Sequence, residues 1–188
     1  MSKEIKNNDQ GNISVKPGKT DFALAIKVSD RVELESVMLV DCHCRQLRFI
    51  KAESRAFDIN YSAESSMDTE AKRIIVLAKF KWEGFEADSK EKKQFAAIEA
   101  SFLLMYSASS LEEINQENVE MFGNLNGIYN AWPYWREFLQ SSISRMCLPS
   151  LTAPVFRLFP PKKDEDKIQK TEGEVIPVQS QVAVEPTE

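Results

Sequence analysis

The sequence predicts an α+β fold, a four-stranded antiparallel sheet with a long C-terminal helix packed on one face. Three observations predict it. Four segments alternate in residue character with period two, each has one strongly apolar face, and one later segment, 126–159, carries enough aromatic surface to cover those faces.

The elements follow in chain order. A short helix is expected over Asp21–Ser29. The first strand places Val32, Leu34, Met38, Val40, Cys42 and Cys44 on one face and Glu33, Glu35, Asp41, His43 and Arg45 on the other. The second has the cleanest alternation, with Phe57, Ile59, Tyr61 and Ala63 against Asp58, Asn60, Ser62 and Glu64. The third sets Ile74, Val76, Ala78, Phe80 and Trp82 opposite Arg73, Ile75, Leu77, Lys79 and Lys81. The fourth sets Ala96, Ile98, Ala100, Phe102, Leu104 and Tyr106 opposite Glu99 and Ser101.

In the covering segment, Ile128, Trp132, Trp135 and Leu139 fall at i, i+4, i+7 and i+11, one apolar helical stripe that Ala131, Tyr134 and Phe138 widen. Pro133 suits the first turn of a helix whose N-cap is Asn130, because a first-turn N–H has no intrahelical partner. The helix is therefore expected to kink or restart near Asn130. Beyond it, Pro149 and Pro154 set off Leu148, Leu151, Val155, Phe156 and Leu158 as an extended apolar segment.

With 188 residues, 43% of them hydrophobic and 28% charged, the chain is one domain's worth with a fillable core. The expected division is a polar N-terminal tail over 1–20, a folded domain over 21–160 and a flexible C-terminal tail over 161–188. A formal charge of −5 and a lysine run broken by Glu91 argue against a nucleic-acid partner. No apolar stretch approaches the roughly 20 residues of a membrane span, and MSKEIKNNDQGN lacks the apolar segment of a signal peptide. Three cysteines, an odd number, suit a reducing compartment, and the expected location is the cytoplasm.

The search for catalytic chemistry is mostly negative. Asp41-Cys42-His43-Cys44 contains good zinc ligands, but a strand directs Cys42 and Cys44 to one face, about 6.6 Å apart, and His43 to the other. The two thiols, on the apolar face, are expected to be buried structural residues. Cys147 lies at a helix C-terminus, the wrong end of the dipole to favour a thiolate, and His43 is the only histidine. Gly123 and Gly127 belong to MFGNLNG, a turn or helix break rather than a phosphate loop. Glu112, Glu113, Glu117 and Glu120 read as a solvated helical face. No enzyme, metal or cofactor is expected.

The spacing of Asn130, Pro133-Tyr134, Arg136-Glu137, Ser141, Ser144-Arg145, Pro149, Leu151 and Ala153-Pro154-Val155 resembles the C-terminal signature of the SecB family of protein-export chaperones. About thirty residues carry the resemblance, and the rest of the chain follows the family in element order alone. It implies a SecB-like, ATP-independent holdase that assembles as a homotetramer, a dimer of dimers in which first strands and long helices pair. Unfolded polypeptides would bind in a hydrophobic groove bordered by the loop after the helix. Aromatic and aliphatic area is non-directional, so such a groove accepts many extended segments.

Trp132, Trp135, Leu148, Leu151, Val155 and Phe156 are the candidate peptide-binding residues. Subunit-interface core is the alternative role for the two tryptophans. The SecA export motor is a further implied partner, although the outer sheet face mixes Glu33, Glu35, Asp41 and Glu64 with Arg45, Lys79 and Lys81 where the family is acidic. Pro160-Pro161 leave room for only a short helix where the family often adds a lid. The other reading is a dedicated interaction adaptor, or a chaperone that protects the antitoxin of a toxin–antitoxin module.

Overall fold

A computed structural model describes residues 9–13 (backbone only), 22–49, 55–86 and 93–156. The elements are β1 (Asp9–Ile13), α1 (Phe22–Ser29), β2 (Val32–Gln46), β3 (Arg55–Asp68), β4 (Arg73–Glu86), β5 (Lys93–Ala108), α2 (Gln116–Phe122) and α3 (Ile128–Arg145), with a π-helical turn, Gly123–Gly127, joining the last two. The C-terminal stretch expected as a tail lies outside the described residues.

Strands β3, β4 and β5 form an antiparallel meander, and β2 returns to pair antiparallel with β5, giving the order β1-β3-β4-β5-β2. β1 adds a short parallel strand on the outer edge of β3, Asp9 opposite Arg55 and Ile13 opposite Ile59. It lies in the N-terminal stretch whose polar composition reads as a tail.

Alternation decides which face is covered. On β4 and β5, Ile74, Val76, Ala78, Phe80, Trp82, Ile98, Phe102, Leu104 and Tyr106 are all buried. α3 lies across that face with Ile128, Ala131, Trp132, Trp135, Leu139 and Ile143 buried, the stripe the 3.6-residue period requires. Trp135 stacks on Phe80 with ring centroids 5.3 Å apart, and Phe138 meets Phe102 edge-on at 6.5 Å. The opposite sheet face carries ion pairs at the surface, Lys79 with Glu64, Lys81 with the partly buried Glu83 and with Glu99, and Arg73 with Glu35.

Two sequence expectations are corrected. The helix does not restart at Asn130: α3 already includes it, and the Asn130 amide Nδ2 donates to the Tyr106 hydroxyl at 3.0 Å. Pro133 sits inside α3, and the departure from regular α-helix comes earlier, in the π-helical turn. There a Cβ on Gly127 would stand 2.7 Å from Val76 Cγ1, and one on Gly123 would stand 1.8 Å from Ser65 Oγ. The two glycines let the helix lie directly on β3 and β4.

The second correction concerns β2. Its register slips between Leu34 and Ser36 and again between Leu39 and Asp41, so Val32, Leu34, Val37, Leu39, Cys42 and Cys44 share the helix-side face while Met38 turns to the other. None of Val32–Gln46 is fully buried. The expectation of buried thiols therefore fails, since Cys42 and Cys44 are exposed on an edge strand. They do share a face, with His43 on the other.

Candidate polypeptide-binding groove

The site is built where α3 ends. Met146 N–H donates to Ser142 O, Cys147 N–H to Ser144 O at 3.1 Å, and Leu148 N–H to Ile143 O at 3.1 Å. The last two are the paired bonds of a Schellman cap. Cys147 takes the left-handed position, φ 53°, that such caps usually give to glycine. The cap turns the chain back so that Leu148 is buried, and Pro149 prevents the helix from continuing.

The loop Leu148–Phe156 then runs over the side of the core facing β3. At its start, Leu148, Pro149 and Leu151 close a small apolar pocket whose other walls are Ala56, Phe57, Trp82 and Phe95. Trp82 meets Phe95 edge-on at 6.0 Å, and its indole Nε1 has no hydrogen-bond partner among the described residues. At the loop's end, Phe156 enters an aromatic cluster with Trp132 at 5.2 Å, Tyr61 at 5.5 Å and Tyr129 at 6.4 Å. Between them Ala153 is buried, and the Trp132 indole donates to Pro154 O at 3.0 Å.

The six sequence candidates separate into layers. Trp135 is fully buried and Trp132 nearly so, forming the floor with Leu148. Leu151 and Phe156 are half-buried against the core, and Val155 is 63% exposed. Sequence reasoning missed Phe57, Tyr61, Trp82, Phe95 and Tyr129. Alternation had placed Phe57, Tyr61 and Trp82 on the covered face, but only the loop's path shows that their end of the sheet lies beneath it.

The arrangement is a row of aromatic and aliphatic side chains along β3, covered by a loop that the Trp132 indole ties to the helix by a side-chain hydrogen bond. Burial raises the Tyr61 hydroxyl pKa above its ordinary value, as expected of a phenol beside this apolar surface. Among the described residues no three His, Cys, Asp or Glu side chains converge as metal ligands would. No helix among the described residues is long and apolar enough to cross a membrane.

The SecB-like chaperone Rv1957 of Mycobacterium tuberculosis, solved in complex with a ChAD peptide from the antitoxin HigA1 (Rv1956), superposes on this chain with a TM-score of 0.65. The match covers 72% of this chain and 97% of that one at 14% identity. The fold is SecB-like. A Streptococcus agalactiae protein of unknown function matches at a TM-score of 0.33 and 13% identity, over 65% of this chain and 96% of its own. No protein-family profile and no curated protein matches the sequence.

Proposed function

We propose that this protein is an ATP-independent SecB-like chaperone, a holdase that binds extended apolar segments of unfolded polypeptides. The observation that carries the reading is the row of aromatics along β3, Phe57, Tyr61 and Trp132 among them, beneath the apolar loop that ends at Phe156. Movement of the loop would open a continuous apolar surface with Leu151, Val155 and Phe156 as its wall and Trp132, Trp135 and Leu148 as its floor, all six in contact with the client. Non-directional apolar area suits many client sequences.

The tetramer belongs to the same reading. β2 is a long edge strand with exposed Leu34, Leu39 and Val40, and Phe49 just beyond it is 92% exposed. Such an edge is a template for pairing, and a dimer formed there would cover it. The exposed face of α3, with Tyr134, Glu137, Gln140 and Ser144, would supply the second contact.

A dedicated antitoxin chaperone is the second reading, and the structural neighbour's bound antitoxin peptide favours it. Delivery to SecA has weaker support, because the outer sheet face carries paired charges of both signs. Titration with unrelated disordered apolar peptides tests the choice. Binding of several with similar affinity supports the holdase, tight binding of one alone supports the dedicated chaperone, and no binding refutes the holdase.

A further inference from the structure

The aromatic row is bordered by the edge of β3, and the chain already seats a strand there. β1 pairs in parallel with Arg55–Ile59, the same stretch whose Ala56 and Phe57 line the apolar pocket. Beyond Ile59 no further strand pairs on that side among the described residues. Further along, α2 and the π-helical turn pack on β3, and the Gln116 side chain Nε2 donates to Ser65 O at 3.0 Å. Between them, Asn60–Glu64 presents a strand edge, with Tyr61 directed into the Phe156 cluster.

We propose that this edge docks the backbone of an extended client segment, and that β1 is a weak internal competitor for it. The proposal rests on the chaperone reading and names how that site is occupied. A strand laid along β3 would send every second side chain to the helix side, between the Phe57–Leu151 pocket and the Tyr61–Phe156 cluster. Backbone pairing then supplies general affinity and the alternating side chains supply selectivity.

β1 is a poor occupant by composition. Its sequence, DQGNI, is five residues with one apolar side chain, and Asp, Gly and Asn are disfavoured in strands. Parallel pairing is also slightly weaker per residue than antiparallel. A client with alternating apolar residues adds burial that β1 does not. Client and β1 exclude one another over Arg55–Ile59, so the docked fraction of β1 lowers apparent client affinity.

The test uses the full chain and a labelled peptide with a Leu-Ser-Val-Thr-Leu core flanked by lysines. In the double variant Gly11→Pro/Asn12→Pro, which removes ladder donors from β1, peptide affinity should rise about five-fold. Hydrogen exchange of the unmodified protein gives an independent readout: saturating peptide should deprotect the amides of residues 9–13 while those of Arg55–Ile59 stay protected. Unchanged affinity in the variant, or β1 amides that keep their protection, overturns the edge assignment and leaves the chaperone reading standing. Failure of both proteins to bind any apolar peptide overturns the edge assignment and the holdase reading together.

Discussion

The Trp132 indole Nε1 donates to the carbonyl oxygen of Pro154 at 3.0 Å, tying the loop that covers the aromatic row to the helix that floors it. Trp132→Phe keeps most of the ring and deletes this bond. We expect it to cost about 1 kcal/mol of stability and to speed hydrogen exchange at Leu151–Phe156, with α3 unaffected. Equal exchange in the loop would show that apolar packing alone holds it down.

Leu151 and Phe156 are the loop's half-buried apolar contacts with the core. Replacing both with Ser should weaken binding of an unfolded client about ten-fold or more while leaving the proposed tetramer intact by light scattering. Unchanged client affinity in the double variant would remove the groove assignment.

Cys147 occupies a left-handed C-cap position, φ 53°. A non-glycine residue there costs about 1–2 kcal/mol, and glycine gives back about 0.4–1 kcal/mol through the unfolded chain. Cys147→Gly should therefore stabilise the protein by about 0.5–1 kcal/mol in a denaturant titration, with the loop's course unchanged.

Gly127 packs where a Cβ would stand 2.7 Å from Val76 Cγ1. Gly127→Ala should destabilise by about 1–3 kcal/mol, because Val76 belongs to the buried face of β4 and has little room to yield. A Val76→Ala background should recover part of that loss, as a double-mutant cycle would show.

Tyr106 is buried beneath α3 with Asn130 donating to its hydroxyl, and burial pushes its pKa up to about 12 from the ordinary 10. The unfolded phenol ionises first as pH rises. Stability is thus unaffected by this group below pH 10 and falls between about pH 10 and 12, by about 2–3 kcal/mol in all. Tyr106→Phe should flatten that part of the stability–pH curve, and spectroscopic titration of the native phenol should lag behind that of a free tyrosine.

Most of the sheet was legible because β3, β4 and, past an irregularity at Phe95, β5 keep a period of two, and the α3 stripe because Trp132, Trp135 and Leu139 keep helical spacing. β2 was legible as a strand but not in its facing, since two register slips interrupt the alternation that assigns Met38, Val40, Cys42 and Cys44 to a side. β1 left no local signal: DQGNI is turn-like in composition, and only pairing with a distant strand makes it extended. The groove was half legible. The loop's prolines marked Leu151, Val155 and Phe156 as apolar residues outside regular structure. Tyr61, Trp82 and Phe95 join them only through the cap at Cys147, which depends on backbone geometry more than on residue type.

The most direct test of the central claim is light scattering from a chemically unfolded model protein diluted into increasing amounts of this one, with no nucleotide present. The account predicts suppression of aggregation that saturates near one tetramer per client. Aggregation that proceeds unchanged at every ratio would contradict a general holdase.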